Sequence, residues 1–309
     1  MAYIVFFELE PWEQHYVTTK LQGHKLVFFN KEITRKSIEK VKDADALALF
    51  VHSKVDAKII NRMKKLKLII AMSTGYDHID LKTCKSKGIV VCNVPYYGEN
   101  TVAEYTFALL LSLSRKIHET YVKTKAGDFS IKGLRGFDLK GKTLGVIGVG
   151  HIGQHVAAMA KGFEMNVIGY NREHDAKLAK KRGFTYVSMP TLLKKADIIT
   201  LHVPYTKETH HLIDKEKVTM MKKGVVLLNT CRGPVVDTDA LVYGLKKKII
   251  SGAGLDVLEA ETFIHDEKNL LKNREIESSQ LRTMLENHML LEEHKSLLHH
   301  IMHLTPPKQ

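Results

Sequence analysis

The chain has 309 residues, 44% hydrophobic and 26% charged, values of an ordinary globular protein, so a disordered chain, a fibrous repeat and a disulfide miniprotein are excluded. At roughly 150 residues per domain the length predicts about two domains. Lys and Arg number 47 against 34 Asp and Glu, a net charge of +13, which admits nucleic acid, an anionic surface or an anionic small ligand as partner.

The lysines lie in short scattered groups such as Lys64-Lys65, Lys180-Lys181 and Lys246 to Lys248, with no interleaved aromatics and no zinc-finger or homeodomain pattern. This argues against nucleic acid and for a solvated basic surface. The cysteines, Cys84, Cys92 and Cys231, have neither metal-site nor disulfide spacing, which fits a reducing, cytoplasmic compartment. Met1 to Phe7 is apolar but lacks a basic flank and soon meets Glu8 and Glu10, so it reads as a first core strand and not a signal peptide. No apolar run reaches the length of a membrane span.

In chain order, strands are expected at Ala2 to Phe7, Lys25 to Phe29, Ala46 to Val51, Leu68 to Ala71 and Ile89 to Cys92. Helical patterns alternate with them at Pro11 to Leu21, Ile33 to Val41 and Asp56 to Leu66. Such alternation predicts a parallel α/β sheet over about the first hundred residues. Asn100 is placed to cap a long apolar helix running through Thr101-Val102-Ala103-Glu104 to Leu111, a candidate interdomain or subunit contact. After a loop with Gly127, Gly133 and Gly136, a second series of strands is expected near Thr143 to Ile147, Asn166 to Tyr170, Ile198 to Leu201, Val225 to Asn229 and Ser251 to Leu255. Residues 266 to 303, with Leu270, Leu271, Leu281, Leu285, Met289 and Leu290 at helical spacing, read as one or two surface helices.

The strongest local signal is Gly148-Val149-Gly150-His151-Ile152-Gly153, directly after the strand Thr143 to Ile147 and directly before an apolar helical run. Strand, G-x-G-x-x-G and helix in immediate succession form a dinucleotide-binding turn. Gly148 makes the tight turn, Gly150 lets the backbone approach a pyrophosphate, and Gly153 lets the helix pack on the strand. About 20 residues on, where a carboxylate recognises the ribose 2′-hydroxyl of NAD, stand Asn171 and Arg172. An Asn beside a guanidinium tolerates a 2′-phosphate, which tilts the expected cofactor, NAD(P), slightly toward NADP; His174 is a possible assistant. A second constellation follows two later strands: Asn229-Thr230-Cys231-Arg232-Gly233, and Gly254-Leu255-Asp256 on to Glu261. An Arg directly after a buried strand needs an anion, and its planar fork suits a carboxylate; a structural ion pair is the alternative.

With these residues in view the chain resembles the D-isomer-specific 2-hydroxyacid dehydrogenase family, in particular its D-lactate dehydrogenase-like members. The resemblance runs from Ala2 to Glu261. It is carried by Ser73 to Asp80, Asn93-Val94-Pro95-Tyr96-Tyr97, Asn100 to Phe107, Gly148 to Gly153, Leu201-His202-Val203-Pro204, Asn229 to Gly233 and Asp256 to Glu261. It implies an α/β fold of two Rossmann-like domains with parallel sheets. Residues 1–100 form a discontinuous substrate domain, residues 101–298 an inserted NAD(P)-binding domain, and residues 299–309 the start of a truncated return segment, with the active site in the cleft and a homodimer joined through the cofactor domain.

The resemblance also implies roles. Arg232 binds the carboxylate and carbonyl of a small 2-oxo acid, and Glu261 hydrogen-bonds the catalytic histidine and raises its pKa. Asp256 meets the nicotinamide carboxamide. Ser73, Thr74 and Gly75 offer amides to the substrate carboxylate, and Tyr97 faces the substrate. His151, Ile152, His202, Val203, Pro204, Thr209, Thr230 and Cys231 line the dinucleotide. His52 is a further substrate-facing candidate, with an ordinary loop pair, His52-Ser53, as the plainer reading.

The pattern breaks in two places. The family's general acid is a histidine in a Thr-Pro-His motif, and here the text is Thr305-Pro306-Pro307. The chain is then truncated, or His299, His300 or His303 substitutes, or the protein is not a competent dehydrogenase. Met72 stands where lactate dehydrogenase-like relatives often carry a basic residue, which leaves substrate size and charge open. The grouping of His288, His294, His299, His300 and His303 raises a metal, but without a recognised ligand pattern none is expected. The leading expectation is an NAD(P)-dependent D-2-hydroxyacid dehydrogenase, soluble and homodimeric; the alternative is a dinucleotide-sensing regulatory protein on the same fold.

Overall fold

The alternation of β-branched runs and capped helical stretches yields two units, Met1–Tyr97 and Gly98–Gln309, each with its own parallel sheet. The structure is a computed structural model that describes residues 1–259, 283, 285–287, 290 and 296–298.

In the first unit β1 (Tyr3–Phe7), β2 (Lys25–Phe29), β3 (Ala46–Leu49), β4 (Leu68–Ala71) and β5 (Val90–Cys92) are arranged as β2-β1-β3-β4-β5. Every neighbouring pair is parallel, so each connection must cross over the sheet, and helices do this. They are α1 (Pro11–Lys20), α2 (Arg35–Val41), α3 (Ala57–Arg62) and α4 (Leu81–Ser86). The last three start at side chains that accept a backbone N–H, Thr34 from Ser37, Asp56 from Ile59 and Asp80 from Thr83, which satisfies amides the helix itself leaves unpaired. Those bonds from Thr83 hold the Asp80 carboxyl below the usual carboxylate range. All four positions of β3 are buried, as a parallel strand covered on both faces requires. Leu47 and Leu49 pack with Ile38 and Ile60 on one side, and Ala48 with Phe6 and Leu9 on the other.

The second unit opens with α5 (Glu99–Arg115) and α6 (Ile117–Lys125). The cap expected at Asn100 is corrected: Gly98 is the N-cap, and Asn100 lies inside the first turn, where its amide donates to Glu104. The helix therefore begins as soon as the chain leaves the first unit. Strands β6 (Thr143–Ile147), β7 (Asn166–Tyr170), β8 (Thr185–Tyr186), β9 (Ile198–Leu201), β10 (Val225–Asn229) and β11 (Ile250–Leu255) follow. They alternate with α7 (His151–Gly162), α8 (Ala176–Arg182), α9 (Met189–Lys195), α10 (Lys215–Met220) and α11 (Thr238–Lys246).

The order β12-β11-β10-β9-β6-β7-β8 places β6 and β9 side by side, the point where the direction of winding reverses and where open α/β sheets bind ligands. One face is covered by Leu192, Leu193, Val218 and Leu241, the other by α5 and α7 through Leu109, Leu110, Val156 and Ala160. The last strand, β12 (Ser296–Leu298), corrects the expectation of one or two surface helices over 266 to 303 at these three residues. It pairs parallel with β11, Ala253 to Ser296 through Leu255 to Leu298, and so supplies ladder partners to a strand that would otherwise be a bare edge. Leu285 and Leu290 do lie in helical backbone, Leu290 buried and Leu285 exposed, while Leu270, Leu271, Leu281 and Met289 lie outside the described residues. No helix among the described residues is long and apolar enough to cross a membrane.

Candidate active site

The glycine turn sits at the end of β6. Gly148 has φ +93°, and a Cβ on it would collide with the His202 carbonyl; a Cβ on Gly153 would collide with the Gly148 carbonyl. Nothing lies within 4 Å of the Cβ position of Gly150. Gly150 is the N-cap of the twelve-residue α7 and has no side chain to cap it, so the amides of His151, Ile152 and Gly153 point out of the helix without an intrahelical acceptor. A turn tight at two glycines and open at the third, facing uncapped amides at the positive end of a helix dipole, is the donor set a pyrophosphate needs.

Around it stand loops from neighbouring strands of the same sheet. Asn171 and Arg172 follow β7, and the Gly148 amide donates to Tyr170 O at 2.9 Å. The Glu208 carboxyl is held below its usual range, first by the Thr206 hydroxyl and further by the nearby charge of Arg172. His174 stacks on Tyr186 at 4.5 Å between ring centroids. His202 follows β9 directly: its Nε2 lies 2.9 Å from Thr200 Oγ1, and burial pushes its pKa down to about 3, so the ring is neutral at physiological pH. The Thr209 hydroxyl donates to Pro204 O and accepts from Thr206 N, both at 2.7 Å; it shapes the 204–209 loop from within.

The turn after β10 is pinned from several directions. Asn229 Oδ1 accepts from Cys231 N and its Nδ2 donates to Arg232 O, folding the turn over its own first side chain. Arg232 Nη1 donates to Cys231 O at 2.8 Å. Cys231 Sγ donates to Asn229 Oδ1 at 3.1 Å, and burial pushes the thiol up to about 11, so it is no nucleophile. A Cβ on Gly233 would collide with the carbonyl of Leu258, which brings the Arg232 turn into backbone contact with the loop after β11 that carries Asp256. The Asp256 amide donates to Asn229 O at 3.0 Å. Tyr105 on α5 lies by Asp256: burial first, and then that carboxylate's charge, push its phenol up.

In the first unit, Ser73-Thr74-Gly75 follows β4. Ser73 Oγ donates to Gly75 O at 2.7 Å, Thr74 Oγ1 donates to Val94 O at 3.0 Å and Asn93 Nδ2 donates to Thr74 O at 2.8 Å. Two segments about 20 residues apart thus form one built turn. His52 is exposed, and the amides of His52 and Ser53 both donate to the Glu8 carboxylate, at 3.1 and 3.0 Å. Sequence reasoning missed Glu8, whose only signal is its place at the end of β1. Tyr97 is 45% exposed at the end of this unit. A cavity of 580 Å³ lies at the other end of the sheet, lined by Tyr3, Lys25 and the Lys65 to Asp43 pair; strand starts are not where parallel sheets bind substrates.

A further grouping was not legible from the motifs. His211, Asp237 and Glu259 offer ligand atoms within 4.8 Å of one another. Hydrogen bonds account for them: His211 Nε2 donates to Glu259 Oε1 at 2.7 Å, Thr238 Oγ1 donates to Glu259 Oε2 at 2.9 Å, and Asp237 caps α11. Glu261, His288, His294, His299, His300, His303 and Thr305 to Pro307 lie outside the described residues.

The winding order of the second sheet, with the glycine turn at its reversal point, defines a dinucleotide-binding α/β protein of the Rossmann type. The sequence profile described as "D-isomer specific 2-hydroxyacid dehydrogenase, NAD binding domain" matches residues 107–284. A 2-hydroxyacid dehydrogenase homolog from Zymomonas mobilis is 40% identical over 263 residues, 84% of this chain and 80% of its own length. A glyoxylate reductase from Thermococcus litoralis is 42% identical over 243 residues, 76% of this chain and 73% of its own. Among solved structures, D-lactate dehydrogenase from Aquifex aeolicus, complexed with NAD and lactic acid, is similar with a TM-score of 0.87 at 35% identity, covering 96% of this chain and 87% of that one. The chain belongs to the D-isomer specific 2-hydroxyacid dehydrogenase family, a family of NAD(P)-dependent oxidoreductases.

Proposed function

We propose that this chain reduces a small 2-oxo acid, pyruvate or glyoxylate in size, to the D-2-hydroxy acid with NAD(P)H as hydride donor. The carrying observation is the Arg232 turn. It ends a fully buried strand and is braced through Gly233 against the loop of Asp256, in the same sheet as the open glycine turn. Bound at that turn, the nicotinamide dinucleotide supplies the hydride. Arg232 holds the substrate carboxylate with its fork and stabilises negative charge developing on the carbonyl oxygen. Asp256 accepts from the carboxamide and so selects the presented ring face. The Ser73-Thr74-Gly75 amides are assigned to the substrate carboxylate, Tyr97 faces the substrate, Glu261 hydrogen-bonds the general acid and raises its pKa, and His52 is an outlying contact. The proton donor is sought among His299, His300 and His303, by the loss of kcat when each is singly replaced by glutamine.

Asn171 and Arg172 support a preference for NADPH over NADH, since neither repels a 2′-phosphate. Pairing into a homodimer is supported by the exposed apolar side chains of Ile117, Tyr121 and Val122 of α6 and of Phe129 and Ile131, 81% and 87% exposed, close after it in the chain, since an interface is where exposed apolar surface is covered. The three unpaired thiols support a cytoplasmic location. The test is the absorbance of NADPH and NADH with pyruvate, glyoxylate, hydroxypyruvate, 2-oxoisocaproate and phenylpyruvate. Turnover of the small acids to D-products is expected. Dinucleotide binding without turnover of any of them overturns the enzyme reading in favour of a dinucleotide sensor.

A further inference from the structure

Helix α5 carries a polar residue where its apolar face meets the sheet. Thr106 is 1% exposed and Thr230 8% exposed, and their hydroxyl oxygens are 3.0 Å apart across 124 residues of sequence. Thr106 Oγ1 also lies 2.8 Å from Val102 O. A carbonyl oxygen only accepts, so the single hydroxyl proton of Thr106 goes to Val102. The proton between the two threonines then belongs to Thr230, and a directed chain runs from Thr230 to Thr106 to the Val102 carbonyl.

That direction has a mechanical consequence. Asn229, Cys231 and Arg232 are tied to one another by bonds internal to the turn, which set its shape but not its placement on the sheet. Placement comes from groups outside it, among them the Gly233 contact with Leu258, the Asp256 amide on Asn229 O, the Val203 backbone against the Cys231 thiol, and Thr106. Next to Thr106 on the helix, Tyr105 is near enough to Asp256 for its phenol to feel that carboxylate's charge, so the second turn of α5 stands close to both segments that follow β10 and β11. A buried Val at 106 would keep the shape of Thr and leave the Thr230 hydroxyl without an acceptor, the costly half of a broken hydrogen bond.

We propose that Thr106 is a positioning residue that holds the Arg232 turn in register through the Thr230 hydroxyl, so that the fork of Arg232 is aimed before substrate arrives. This rests on the role assigned to Arg232 above. It sets Thr106 apart from a core threonine that only fills space, because a filler acts on the amount of folded protein and leaves the affinity of the folded fraction alone.

The experiment uses the full chain with Thr106→Val, Thr106→Ser, Thr230→Val and the double Thr106→Val/Thr230→Val. Two readouts are taken: steady-state reduction of pyruvate and glyoxylate by NADPH or NADH, and amide hydrogen exchange of the peptide spanning 225–236 in the unliganded chain. Thr106→Val is expected to raise KM for the 2-oxo acid roughly five- to tenfold with kcat changed by less than about twofold, and to speed exchange of the Cys231 amide by roughly the same factor, as expected for one lost hydrogen bond. Thr106→Ser restores both. The double variant, in which no buried hydroxyl is left unpaired, recovers at least half of the exchange protection. Unchanged exchange at 231 in Thr106→Val, or a fall in kcat at constant KM with no rescue by Ser, overturns the inference. If the parent chain turns over no 2-oxo acid while Thr106→Val still loosens the turn, the functional reading fails and the positioning of the turn by Thr106 stands.

Discussion

Replacing Gly233 by alanine isolates the contact between the Arg232 turn and the loop that carries Asp256, the two segments to which the proposed function gives the substrate carboxylate and the nicotinamide carboxamide. The added methyl would fall inside the Leu258 carbonyl and against the Glu259 amide nitrogen, where ordinary non-bonded separation is about 3.5 to 4.0 Å. Backbone cannot rotate out of the way as a side chain does, so the turn and the loop must part by about 1 Å or more. Displacement of that size at reacting groups costs on the order of 10²-fold in rate, or about 2.7 kcal/mol of transition-state stabilisation. Overpacking adds about 1 to 3 kcal/mol of global destabilisation, which at roughly 2 to 4 °C per kcal/mol lowers Tm by roughly 2 to 12 °C. The assay is initial-rate oxidation of NAD(P)H against 2-oxo acid concentration, alongside a thermal melt. Gly162→Ala is the control, since its Cβ position has no neighbour within 4 Å, and it leaves both unchanged or slightly raises Tm. A Gly233→Ala enzyme with kcat/KM within twofold of the parent would show that the turn and the loop move independently, and the reasoning would be refuted.

Arg232→Lys, which replaces a two-pronged donor by a point charge, is expected to lower kcat/KM for the 2-oxo acid roughly 10²- to 10³-fold while leaving the dinucleotide Kd within threefold; equal losses in both would place Arg232 on the cofactor instead. Arg172→Ala is expected to weaken NADPH binding by roughly tenfold and NADH binding little, and a preference for NADH that survives it counts against the 2′-phosphate reading. If the proposed homodimer pairs through this patch, Phe129→Glu with Ile131→Glu sediments as a monomer where the parent chain sediments as a dimer, and an unchanged sedimentation coefficient refutes pairing through it. Burial holds the folded pKa of His202 at about 3, against about 6.5 for an ordinary histidine, so below pH 6.5 the unfolded chain binds the extra proton and stability falls as pH drops toward 3. At pH 5 this one group accounts for about 2 kcal/mol, and His202→Asn should flatten the fall in Tm between pH 7 and 5; a parallel fall in both proteins refutes it.

The bounds of β2, β4, β6, β7, β9 and β10 were legible because each is a β-rich run closed by residues that end strands, as when Val146-Ile147 runs into Gly148 or Leu228 into Asn229 and Thr230. The glycine turn was legible because its spacing is dictated by local sterics, and the Arg232 segment because an arginine after a buried strand is chemically conspicuous. The start of α5 was not, since Gly98 is its N-cap with no side-chain cap bond, and Asn100, a residue type that commonly caps, already lies inside the first turn. Strand β12 was hidden because Leu297 and Leu298 continue a helical spacing, and only the neighbouring edge of β11 makes a strand of them. The His211 to Glu259 and Thr106 to Thr230 pairs join residues 48 and 124 positions apart, and no local pattern announces a tertiary hydrogen bond between common polar residues. The expected roles of His202 and Thr209 were read from their neighbours, whereas burial and the 204–209 loop set what their side chains can do.

Strand β12 also has a consequence for how the chain is made. It meets β11 through three residue pairs after some 40 intervening residues, and closing a loop of that length costs about 3 kcal/mol of chain entropy. Synthesis at roughly 5 to 20 residues per second leaves β11 emerged and paired on one side only for several seconds before its outer neighbour is available. Through that interval Ile250–Leu255, without a single charged side chain, is an open ladder that a strand from another ribosome on the same message fits as well as its own. The outer edge of β11 is therefore a place where protection during synthesis counts, because a nascent copy can pair there before Ser296–Leu298 is available.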